Sequence, residues 1–204
     1  MRVMRRRIYK SAAGFTLIEM MVAITLGMIV IAGATGTFTA QTRQNAAEEQ
    51  ISQMHQNVRG ALDMIIRDLM QAGYKAPGGS VTGVTYSASQ LLIQADLNAN
   101  SSIDTSSTSV EYITYVFDSA NRQITRQLGT GGGSSAEILA ENITQCDFAF
   151  SDANGASTST SSSIRKVSIT ITGRTAKVDP SYSSNSGYRT YSVSADVTPP
   201  NLAL

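Results

Sequence analysis

Three groups of residues have the types and spacing to support chemistry. Asp96, Asn98 and Asn100 alternate along the chain, and Asp104 follows eight residues after Asp96. The pattern resembles the opening of a calcium loop, which places oxygen ligands at alternate positions. Ser101 stands where such a loop wants glycine for its sharp turn, and Ser107 stands where a bidentate glutamate would close it. Asn and Asp are also what exposed turns favour, so the expectation is no cofactor, with calcium at these four residues as the metal candidate. Ser163 and Lys166 have the Ser-x-x-Lys spacing of penicillin-binding enzymes, but that motif opens a helix and here it leads into a strand-like run. His55 is the only histidine and has no second histidine or cysteine near it, so neither a Ser-His-Asp arrangement nor a zinc site has its parts. An enzyme is not expected.

The chemistry that does find a setting is at the N-terminus. From Phe15 to Ala34 there are 20 residues with no proline and one charge, Glu19. As a helix that run is long enough to span about 30 Å of hydrocarbon. An acidic group at membrane depth costs about 2.5 to 3.5 kcal/mol, so Glu19 needs either a partner or a route to the interface one turn away. Upstream stand Arg2, Arg5, Arg6, Arg7 and Lys10 with no acidic residue. The positive-inside bias therefore keeps the leader in the cytoplasm and sends the rest outward. An ordinary secretory signal would be cut after its apolar part, at small residues.

Gly14-Phe15-Thr16-Leu17-Ile18-Glu19, placed between that basic leader and the apolar run, resembles the processing site of type IV prepilins and of type II secretion pseudopilins. The resemblance implies cleavage between Gly14 and Phe15 by a membrane-embedded prepilin peptidase, with methylation of the new N-terminus. It also implies that Glu19, with Thr16, serves subunit assembly, the glutamate pairing with the N-terminal amine of a neighbouring subunit. Two charges that are each costly in lipid become tolerable when they face each other. The implied fold is α+β: a long N-terminal helix, transmembrane in its first half, packed against a β-rich head. The implied divisions are leader 1–14, core helix 15–36, amphipathic helix 37–74 and head 75–204.

The rest of the chain is compatible with this. Removing the five basic residues of the leader leaves 11 basic against 15 acidic residues, a formal −4, and no basic patch suggests nucleic acid. Cys146 is the only cysteine, so an internal disulfide cannot form and a small buried hydrophobe is expected. Ala23 and Gly27, and again Ala32 and Gly36, lie four apart on one helix face where another helix could approach. Many major pilins carry proline where this chain has Gly36.

Past Phe38 the pattern is helical but polar. Ile51, Met54, Val58, Leu62, Ile65 and Leu69 recur at steps of three and four, with Arg59, Asp63, Arg67 and Asp68 expected on other faces. A helix from Phe15 to about Gly73 would be roughly 88 Å long. Its end, Arg67 to Tyr74, resembles minor pilins of the PilW type. From Pro77 onward short alternating runs predict strands at Val81–Tyr86, Gln90–Ala95, Val110–Phe117, Gln123–Leu128, Asp147–Phe150, Lys166–Thr172 and Tyr188–Val197. Asp118 to Asn121 predicts a tight turn, and Gly129–Ser135 and Ser157–Ser163 are loops by composition. Tyr86, Tyr112, Tyr115, Tyr182, Tyr188 and Tyr191 could form a contact surface or an aromatic path, but alternation on strands puts most of them in a half-buried sheet.

The expected protein is a minor pilin in a bacterial inner membrane, head in the periplasm, which later joins a pilus at the cell surface. Its partners by resemblance are the prepilin peptidase, other major and minor pilins and an inner-membrane assembly platform. A type II secretion pseudopilin is the alternative within the class, and a membrane-tethered binding protein or adhesin is the alternative outside it.

Overall fold

The computed structural model describes residues 14–87, 90–130 and 135–202. The basic leader and the glycine-rich centre of the 129–135 loop lie outside them. Helix α1 runs from Leu17 to Leu69, 53 residues, and ends before the expected Gly73. Residues 70–73 form a tighter turn, and Gly73 has φ +77°, a left-handed position that stops a helix and suits glycine.

The chain divides into two compact units, residues 1–46 and 47–204. In the first, the apolar side chains from Phe15 to Phe38 are exposed almost without exception. This part of α1 is long and apolar enough to cross a membrane. Its polar hydroxyls fold back on the helix: Thr25 donates to the Met21 and Val22 carbonyls, Thr35 to Ile31 and Ala32, and Thr37 to Gly33. Satisfying these groups within the helix is what a lipid environment demands.

In the second unit the helix buries Met54, Val58, Ala61, Leu62, Ile65 and Leu69, the stripe expected from the 3.6-residue period. They pack with two antiparallel sheets into one core. Five strands form the first sheet in chain order: β1 Val84–Thr85, β2 Gln90–Gln94, β3 Tyr112–Asp118, β4 Gln123–Leu128 and β5 Ala136–Glu141. Three form the second: β6 Ile143–Ser151, β7 Lys166–Arg174 and β8 Thr190–Val197. Alternation drives them: Val167, Ile169, Ile171 and Gly173 of β7 are buried while the residues between are half-exposed. Gly173 lets the sheet approach α1, because a Cβ there would sit 2.4 Å from Val58 Cγ2.

The structure departs from the sequence expectation in several places. β1 is two residues rather than six, and β6 is nine rather than four. β5 falls in a stretch where the sequence pattern predicts no strand. Its Ala and Glu residues have weak strand preference, and it forms because β4 offers it a paired edge, with a register shift between Ile124 and Thr125. Asp68, expected on an outer face, is buried. It lies seven positions after Ala61, two turns along the same stripe, and the sheet brings it a partner.

Candidate functional site

Gly14, Phe15 and Thr16 precede the first helical residue, and all are exposed, Phe15 to 92%. A Cβ built on Gly14 would meet nothing within 4 Å among the described residues, and the peptide between Gly14 and Phe15 is exposed and non-helical. Thr16 then caps the helix. Its N–H donates to Glu19 Oε2 at 2.8 Å, its hydroxyl donates to the same oxygen at 2.9 Å, and the Glu19 N–H donates back to Thr16 Oγ1 at 3.3 Å. This reciprocal pair is a capping box, which satisfies backbone N–H groups that a helix start leaves without intrahelical partners. The sequence signal was Thr16-x-x-Glu19 ahead of an apolar run, and the resemblance alone had given Glu19 only an assembly role. The Thr16 N–H is not part of the Gly14–Phe15 bond, so the box survives cleavage there.

The other candidates are scattered through the head. Asp96 is fully buried, and its carboxylate accepts the N–H groups of Asn100 at 3.0 Å and Ser101 at 2.8 Å. Asn98 Oδ1 accepts the Asn100 N–H, and Asp104 Oδ1 accepts that of Ser106. Glu111, which no pattern in the sequence marks, is buried as well, and its two oxygens accept the N–H groups of Asn98 at 3.0 Å and Asp104 at 2.9 Å. Two inward carboxylates thus hold this loop by its backbone. Among the described residues no three His, Cys, Asp or Glu side chains are gathered into a metal cage. Ser163 ends a short 3-10 turn and Lys166 Nζ pairs with Asp196 at 3.2 Å, so these two do not form a nucleophile and base. His55 stacks on Tyr191 with ring centroids 4.1 Å apart, a domain-facing histidine. Cys146 is buried, and that burial, with the Asp147 charge beside it, pushes its thiol pKa up to about 12, which makes it inert.

The open Gly14–Phe15 bond and the apolar helix behind it lie within residues 9–35, which match the prokaryotic N-terminal methylation motif. Residues 47–195 match the family described as prepilin peptidase-dependent protein B. The chain belongs to that family. It is a type IV prepilin-like protein, and prepilin peptidase is a partner of it. Among solved structures, a type IV-like pilin from Thermus thermophilus is similar at 12% identity, with 72% of this chain and 97% of that one covered and a TM-score of 0.46. No curated protein matches.

In this prepilin peptidase-dependent protein an exposed bond before Phe15 is followed by a capped helix that is long and apolar enough to cross a membrane. The α+β architecture expected from the resemblance is the one observed.

Proposed function

We propose that this chain is a minor pilin subunit, of the PilW type by its Arg67–Tyr74 helix end, that takes part in assembling or priming a type IV pilus. The peptidase cuts after Gly14 and Phe15 is N-methylated. The helix holds the subunit in the inner membrane with the head in the periplasm. It then moves into the filament core beside other major and minor pilins, drawn from the membrane by the assembly platform. The protein acts by packing rather than by catalysis.

The observation that carries this is the open Gly14–Phe15 bond directly before a capped apolar helix, inside the matched methylation motif. Both Thr16 bonds converge on one Glu19 oxygen, Oε2, which supports a second role for the carboxylate toward a neighbouring amine.

N-terminal mass spectrometry of the protein, from membranes of hosts with and without prepilin peptidase, tests this. A mature chain beginning at N-methylated Phe15 only when the peptidase is present is expected. An unprocessed start, or one beyond Ala34, would leave a tethered binding protein as the better account.

A further inference from the structure

Arg174, the last residue of β7, lines a cleft of about 390 Å³ in the head. Gln50 and Asn57 of α1 form one wall, and Ile138 to Asn142 at the end of β5 form another. The guanidinium lies over the Tyr188 ring, Cζ 3.9 Å from its centroid, so its plane is held. Its Nε is buried and donates to no acceptor among the described residues. Arg126 and Arg189 each have an aspartate, Asp68 and Asp179, whereas Arg174 is in no ion pair among the described residues. Arg174 as a whole is half-buried, but a buried N–H that meets no acceptor is costly until an acceptor reaches it.

The surroundings narrow what that acceptor is. Gln50, which lines the cleft, accepts the Lys177 N–H through Oε1 at 3.0 Å, so its amide NH₂ remains its donor. The Asn57 amide donates to the Glu141 carbonyl at 2.6 Å and fixes α1 against β5. Glu141 also lines the cleft, and its negative charge opposes a polyanion such as a phosphate more than a single carboxylate. At the same wall Ile138 is 54% exposed, an apolar side chain on an edge strand. An arginine stacked on tyrosine beside an exposed isoleucine is the composition of an interface anchor.

We propose that this cleft receives an acidic side chain from a neighbouring filament subunit, its carboxylate taken by Arg174 and an adjoining apolar residue resting on Ile138. The inference rests on the filament reading above.

The test uses the full chain in a piliated host, with Arg174→Glu and Ile138→Glu variants. The amount in sheared filaments is measured against the amount in membranes, and N-terminal mass reports processing at Phe15. Both variants are expected to be processed and to accumulate normally while incorporation falls at least about tenfold. Suppressors of Arg174→Glu are expected in another subunit, changing an Asp or Glu there to Lys or Arg. Normal incorporation of Arg174→Glu would overturn the proposal. So would loss confined to Arg174→Glu with Ile138→Glu unaffected, or suppressors confined to this chain, since either would make Arg174 an internal support for Tyr188. Failure of the wild-type chain to be cut after Gly14 would instead remove the filament reading itself, and the proposal with it.

Discussion

Asp68 of α1 and Arg126 of β4 form an ion pair, Nε to Oδ2 2.9 Å, with side chains only 10% and 16% exposed. The Tyr115 hydroxyl of β3 donates to the same Asp68 oxygen, so one carboxylate ties the end of the helix to two strands. Removing one member of such a pair leaves a buried charge without its partner, which costs about 3 to 5 kcal/mol. Arg126→Met is therefore expected to lower the stability of the detergent-solubilised chain by about that amount in urea melts. Changing Asp68→Leu and Arg126→Met together should cost less than Arg126→Met alone.

The same cluster sets the behaviour at alkaline pH. Burial raises the Tyr115 pKa, and the hydrogen bond and charge of Asp68 raise it further, against a smaller lowering by Arg126. A group whose folded pKa lies above its unfolded value contributes stability that is fully present below the unfolded pKa, about 10 for tyrosine. That stability is lost as pH rises through the folded pKa. Cys146, raised by burial and by Asp147 to about 12, adds a loss that begins near its unfolded value of about 8.5. Melting temperature should fall above about pH 9, and Tyr115→Phe should flatten the part of that fall above about pH 10. At pH 8 a maleimide should leave native Cys146 unlabelled and label it fully in urea.

Gly173 and Val58 make a close approach between β7 and α1. With a Cβ at 173 falling 2.4 Å from Val58 Cγ2, Gly173→Ala should cost about 1 to 3 kcal/mol by overpacking. Adding Val58→Ala removes the opposing methyls, and a double-mutant cycle should return part of that loss. Simple additivity would show that the two side chains do not share the space.

Asp96 accepts the N–H groups of Asn100 and Ser101 in its own loop and that of Ala76, which precedes β1. Asp96→Ala leaves these donors without their acceptor and should destabilise the head by about 1 to 3 kcal/mol. With its oxygens so engaged, addition of millimolar calcium or EDTA should leave the wild-type melt unchanged. A calcium-dependent rise that Asp96→Ala abolishes would restore a metal role for Asp96, Asn98, Asn100 and Asp104.

At the N-terminus, capping and assembly are separable. Thr16→Ala removes the hydroxyl from the box and should cost about 1 kcal/mol of local helix stability, with processing at Phe15 intact. Glu19→Ala should also be processed, since the bond cut lies outside the box, but it should be incorporated into filaments much more weakly than Thr16→Ala. Equal incorporation of the two variants would reduce Glu19 to a cap.

Elements that depend on neighbours in the chain are legible in the primary sequence. The apolar run after Gly14 dictates a membrane-length helix, steps of three and four place Met54 to Leu69 on one stripe, and alternation marks β2, β4 and β7. It also held Thr16 and Glu19 at capping distance. What it left undecided were relationships set by register between distant segments. Asp68 meets Arg126 58 positions later, and β5 exists because β4 accepts it. Asp96 and Glu111 turn inward because the backbone N–H groups of their own loop gather around them. Arg174 lies in a cleft because α1, β5 and β7 converge there. Local propensity and period report on a few residues at a time, whereas these pairings depend on how two sheets and a helix close over one core, which only the tertiary structure decided.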